Sequence, residues 1–296
     1  MSAIDLSRLP VPNVIEPLDV ERIFQATLAD LKQKDATLVE GLTDTDPLWK
    51  LLQVCAYREL VIRQRVNDAA KAVMLAYAQQ ADLDHIAAGY GVKRLTLHPG
   101  NPSANPPLPA IMEEDEALRS RTQLSLDGLS VAGPEGAYRF HAKSASGDVL
   151  DAKPSSPTPG HVIITVLSRT GNGLASPALL QQVERAVNAE DIRPLTDYVT
   201  VQSARIVEYA LKATLYLYSG PDANVVIANA RKATERYVND RQRIGQDVTL
   251  SGLYGALQQP GVQRVELHSP SNTLNIDHYS ASFCTGIALT FGGIDE

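Results

Sequence analysis

The sequence predicts an α+β chain: an N-terminal helical bundle arm followed by two small α/β-type domains with mixed sheets. Three observations point there. From Pro47 to about Gln79 the chain contains neither glycine nor proline, and apolar side chains recur at alternating steps of four and three. Residues 98–109, HPGNPSANPPLP, hold five prolines in twelve positions, which neither a helix nor a central strand tolerates. Beyond them, strand and helix patterns alternate in two successive groups. The expected divisions are a helical arm at 1–97, a proline-rich linker at 98–109, a middle α/β domain at 110–205 and a C-terminal α+β domain at 206–296.

In the arm, Asp19 is placed to cap a helix whose apolar positions Val20, Ile23, Phe24, Leu28 and Leu31 follow helical spacing. Asp46-Pro47 opens the second helix, with proline at its first position. Its seam reads Leu48, Leu52, Cys55, Glu59, Ile62, Val66, Ala69, Val73 and Ala76, broken by Glu59 alone. A second stripe, Leu51, Val54, Tyr57 and Val61, widens the apolar surface. A helix of about 30 residues, about 45 Å long, needs neighbours on two sides. The arm offers Val20–Leu31 and a short helix near Leu83–Ala88. Either the later domains cover the remainder or another subunit does. On the second reading the interface residues are Leu48, Trp49, Leu52, Cys55, Ile62, Val66 and Val73. Trp49, the single tryptophan, fits a core position or an interface hot spot. Cys55 on the seam behaves as a small core residue.

After the linker, EEDEALRSRTQLSLDGL forms an amphipathic helix with carboxylates in a solvated first turn. Gly133-Pro134-Glu135 begins a further helix. Strands follow at Val149–Lys153 and His161–Ser168 across a PSSPTPG connection, and VIITVL, apolar on both faces, reads as a buried central strand. A helix from Ser176-Pro177 to about Ala189 and a strand at Val199–Val201 complete this group. The last group is a long strand Ile206–Tyr218, helices from Asp222 to about Asp240 and over Leu250–Gln258, and strands Val262–His268 and Ser282–Phe291.

Composition bounds the function. Of 296 residues, 44% are hydrophobic and 21% charged, with 27 Lys+Arg against 34 Asp+Glu and a net charge of −7. The acidic excess is spread along the chain, so neither a phosphate-tracking surface nor an anionic membrane patch is expected. No apolar run reaches the roughly 20 residues of a spanning helix. The early Asp5 and the lack of an apolar stretch behind it predict no export signal. Cys55 and Cys284, far apart and outside any CxxC, exclude a disulfide framework and a zinc ribbon.

No catalytic constellation emerges, and no metal or cofactor is expected. The six histidines show no HxxxH spacing; no GxSxG surrounds a serine. The turn Gly171–Ser176 after VIITVL has the strand–glycine–helix order of a phosphate cradle. Its third glycine is replaced by Ser176, and Pro177 removes an amide. A nucleotide-dependent enzyme using this turn is therefore the alternative reading, behind a tight Ser176-capped connection.

Five segments in order carry a resemblance. They are DPLWKLLQVCAYRELVIRQRVNDAAKAVMLAYAQQADLDHIAAGYGVKR, then DEALRSRTQLSLDGLSVAGPEGAYRFHAKSASGDVLDA, PGHVIITVLS, DIRPLTDYVTV and VTLSGLYGALQQPGVQRVEL. Together, from about Ile23 to Phe291, the chain resembles the baseplate J-like proteins of contractile phage tails and phage-derived bacteriocins. The resemblance implies a structural wedge subunit without enzymatic activity, assembled in the host cytoplasm into the baseplate of a virion or bacteriocin particle. The implied partners are a second copy of the chain, a tail protein I-like wedge partner, and by family analogy a lysozyme-like baseplate protein and the central spike or hub. The bundle element would be the Leu48–Ala76 seam, and ring contacts would lie after Ile206.

Overall fold

The computed structural model describes residues 4, 6, 9–220 and 222–294. They combine helices with small mixed sheets, an α+β fold, and divide into two compact units: residues 1–93 with 115–119, and 94–114 with 120–296.

The first unit contains α1 (Val20–Lys34), α2 (Pro47–Ala72), α3 (Gln80–Gly89) and the opening of α4 (Asp115–Leu124). Asp19 caps α1, its carboxylate accepting from the Glu21 and Arg22 amides. Ile23 and Phe24 of α1 pack on Leu52 and Ala56 of α2, ringed by Leu28, Leu31, Leu48, Trp49 and Leu60. Trp49 meets Phe24 edge-on, with ring centroids 4.7 Å apart. Asp46 does not cap α2; its carboxylate turns back to accept from the Thr43 amide and hydroxyl, each at 2.7 Å.

The second helix ends at Ala72, short of the expected Gln79. Arg119 supplies the reason. Its guanidinium donates to the Leu75 and Ala78 carbonyls, both at 2.7 Å, taking acceptors that a continuing helix would use. Gln80 then adopts φ 48, and its amide donates to the Asp115 carboxylate at 3.0 Å. Tertiary hydrogen bonds thus override a sequence with no intrinsic helix breaker.

The second unit opens with β1 (Thr96–His98) and β2 (Ile111–Met112), which pair antiparallel. The proline-rich stretch between them is a folded-back loop rather than an extended strap: Asn101 and Leu108 exchange backbone hydrogen bonds at 2.9 and 3.0 Å. The acidic turn before α4 also departs from expectation. Glu113 is buried and forms a two-pronged ion pair with Arg121, Nε to Oε1 at 3.1 Å and Nη2 to Oε2 at 2.7 Å. Consecutive carboxylates point in different directions around a helix start, so one of the four can reach inward.

Then come α5 (Glu135–Ala145), β3 (Val149–Thr158), β4 (His161–Ser168), α6 (Pro177–Val187) and β5 (Tyr198–Ser203). The central strand is β4, antiparallel to β3 and parallel to β5. Most of the segment expected to be a connection extends β3 to Thr158, because Pro154 and Pro157 lie on an edge strand, where a missing amide is tolerated. Ile164, Val166, Val183, Val187 and Tyr138 build this core. The second sheet has β6 (Arg205–Leu217) between β7 (Val262–Ser269), antiparallel, and β8 (Ser280–Ile294), parallel. Leu211, Ala213, Leu215 and Leu217 bury one face of β6 beneath α7 (Ala223–Arg241) and α8 (Leu250–Leu257). Between the two sheets, Leu167, Ala204, Ile244 and Ala281 share a small core. Asp151 links them further, accepting from the Ile244 amide at 3.2 Å and from Arg139 at 3.1 Å.

Candidate functional site

The feature that the first unit leaves unfinished is the outward face of α2. The helix is apolar on two sides. One side, Leu48, Trp49, Leu52, Ala56 and Leu60, is occupied by α1. Farther along, the same side turns polar and is closed by the chain before α1. Asn67, 4% exposed, donates to the Glu16 carbonyl at 2.9 Å and accepts from the Glu16 amide at 3.0 Å. Arg63 bridges the Glu16 carboxylate at 3.0 Å and the Glu59 carboxylate at 2.7 Å. Glu59, the break in the predicted seam, therefore finds its partner on its own helix, one turn on.

On the other side, Leu51, Val54, Val61, Ile62 and Val66 are exposed, with Ile62 65% and Val66 57% accessible. Val73, just past the helix end, is 75% accessible. Cys55 is exposed on this face as well, not in the core as expected. The predicted interface set is thus split: Leu48, Trp49 and Leu52 pack within the unit, whereas Cys55, Ile62, Val66 and Val73 face outward. Helix geometry explains the split. A seven-residue repeat drifts about 20° per heptad on a straight helix of 3.6 residues per turn. A seam that starts under α1 at Leu48 has therefore rotated into the open by Ile62. The 15-residue α1 spans about 22 Å against about 39 Å for α2, so it cannot follow.

Two residues of this face escaped the sequence reading. Stepping by four and three from Leu51 gives Cys55, Arg58, Ile62, Arg65, Ala69 and Ala72, a seam with guanidinium groups at its middle. The signal was available: Arg58 and Arg65 lie seven and fourteen residues after Leu51, within the stripe that also holds Val54 and Val61.

The rest of the molecule was searched for chemistry. The Gly171–Ser176 turn does not present a row of donors. The Leu174 amide bonds the Asn172 side chain at 3.2 Å, that of Ala175 the Ser203 hydroxyl at 2.9 Å, and that of Leu179 the Ser176 hydroxyl at 3.2 Å. Gly173 adopts φ 103, and a Cβ there would lie 2.7 Å from Leu167, so this glycine serves turn and packing. His141 lies against the Gly128 carbonyl at 3.1 Å, and His268 against the Thr214 hydroxyl at 2.8 Å. Among the described residues no three His, Cys, Asp or Glu side chains converge as metal ligands, and no helix is long and apolar enough to cross a membrane. A groove of about 410 Å³ along Glu16–Asp19, Arg22, Glu59 and Arg63 is lined by the ion pairs already described.

Comparison with known proteins gives this face a context. Residues 44–101, spanning all of α2, match the Baseplate J-like N-terminal domain, and residues 130–203 match the Baseplate J-like central domain. Over 302 aligned positions, covering 100% of both proteins, the chain is 50% identical to Baseplate protein J of Escherichia phage P2. A solved structure of the anti-feeding prophage baseplate, six-fold symmetrised, matches at 15% identity and a TM-score of 0.40, over 62% of this chain and 44% of that one. With half of its residues shared along the full length of the phage P2 protein, the chain belongs to the baseplate J-like family.

Proposed function

We propose that this chain is a structural wedge subunit of a contractile-tail baseplate, in a phage virion or a phage-derived bacteriocin. It assembles in the bacterial cytoplasm by forming a helix bundle with a tail protein I-like wedge partner. Its second unit supplies ring contacts, after Ile206, to second copies of the chain around the central hub, spike and lysozyme-like protein. The observation that carries this reading is the outward face of α2, a row of exposed aliphatic side chains on a helix whose opposite side is already packed. Burying each Leu, Ile or Val contributes about 1.5–3 kcal/mol. Five such side chains on one 26-residue helix are enough to offset association costs of about 4–15 kcal/mol. The region matched to the Baseplate J-like N-terminal domain includes the whole of this helix. Switching, on this reading, comes from rearranged packing between subunits rather than from a bound ion or thiol chemistry.

Deleting the gene tests the assignment. Electron microscopy of the resulting particles should show tails or tubes without baseplates, restored by the gene in trans. Intact baseplates on the deletion particles would exclude it.

A further inference from the structure

We propose that the helix seated on the outward face of α2 belongs to a different chain and carries carboxylates seven residues apart that meet Arg58 and Arg65. This rests on the helix-bundle reading above and specifies the chemistry of the partner. The seam Leu51, Cys55, Arg58, Ile62, Arg65, Ala69 and Ala72 contains two charged groups, both cationic. Among the described residues neither guanidinium has an ion-pair partner, whereas Arg63, on the packed side, has two. The carboxylates of α2 do not serve the seam. Glu59 is held by Arg63, and Asp68, at the flank, accepts from Gln64 at 2.7 Å.

A second copy of α2 is a poor occupant. In a parallel pair, like seam positions face each other, so Arg58 meets Arg58 and Arg65 meets Arg65. In an antiparallel pair centred on Ile62, Arg58 meets Arg65. Either way, cations are opposed in a seam that burial strips of water. A helix with Leu, Ile or Val on most seam positions and Glu or Asp opposite the two arginines satisfies both the apolar row and the charges. Arginine suits this role because its guanidinium donates in a fixed fork to one carboxylate. The charged pairs then set partner choice and register, as buried polar positions do in coiled coils.

The test uses the full-length chain and its charge-reversed variant Arg58→Glu/Arg65→Glu as a surrogate acidic partner, followed by sedimentation velocity. The wild-type chain and the variant should each fail to associate through α2 alone. Mixed, they should form a complex that weakens by about tenfold or more between about 50 mM and about 500 mM salt. Wild-type self-association that Ile62→Asp/Val66→Asp abolishes would overturn the proposal in favour of a second copy. So would a mixture no more associated than its components. In parallel, the co-expressed wedge partner is captured on Arg58→Leu/Arg65→Leu and on Ile62→Asp/Val66→Asp, and the arginine variant should lose about tenfold or more in capture. Loss with the aspartate variant alone would overturn the charge assignment and leave the bundle reading standing. Unchanged capture by both would overturn the bundle reading itself.

Discussion

The side chain of Asn67 and the backbone of Glu16 hydrogen-bond in both directions, at 2.9 and 3.0 Å, so one amide side chain pins the segment before α1 against the middle of α2. Asn67 is buried, and its loss strands both backbone groups of Glu16. Asn67→Ala should therefore destabilise the first unit by about 1–3 kcal/mol. Trp49, the single tryptophan, sits in the same unit against Phe24, so its fluorescence during urea denaturation reports the change directly. An unaltered midpoint would show that the pinned segment contributes nothing to stability.

The Glu113–Arg121 pair gives a second prediction. Both side chains are buried, and Glu113 also accepts from the Leu95 amide at 3.1 Å. Removing the cation alone leaves an uncompensated buried carboxylate, so Arg121→Leu should cost about 3–5 kcal/mol. Adding Glu113→Gln removes the charge while keeping an acceptor for Leu95, and the double variant should recover part of the loss. Thermal unfolding by circular dichroism checks the order of the three proteins. A double variant less stable than Arg121→Leu would contradict this account of the pair.

Lys143 sets a pH dependence. Burial pushes its amine down to about 8 from 10.5, against the opposing pull of Asp151, with Arg139 and Arg243 adding to the depression and Glu113 resisting it. The unfolded chain holds this proton more tightly than the native state between those values. Stability should therefore rise with pH from about 8 to 10.5, and the cost of the buried charge is fully present below about 8. Lys143→Met should flatten that rise and stabilise the protein at neutral pH by on the order of 1 kcal/mol. The difference between the two stability curves across the window is the measurement; parallel curves would contradict the assignment.

Much of the fold was legible because its signals are local. The Asp19 cap, the buried VIITVL strand and the alternation of Leu211, Ala213, Leu215 and Leu217 depend on neighbours in sequence, and each appears where its pattern placed it. What was not legible depends on distant residues. The end of α2 is set by Arg119, more than forty positions on. Glu113 could be read as an inward-facing group only with Arg121 and Leu95 in view. The candidate site shows the same division. Its apolar residues were visible as a heptad, but which of them face α1 and which face outward follows from the drift between a 3.5 and a 3.6 repeat and from the length of α1. Cys55, Ile62 and Val66 stand on the open side for that reason, and so do Arg58 and Arg65.

The central claim is that the open face of α2 is where the wedge partner binds. Co-expression of the tail protein I-like partner with wild-type chain and with Ile62→Asp/Val66→Asp tests it most directly, with thermal unfolding of each purified chain measured alongside. Both positions are exposed, so the substitutions should leave the unfolding temperature of the isolated chain unchanged while abolishing co-purification of the partner. Normal co-purification by the folded double variant would contradict the account.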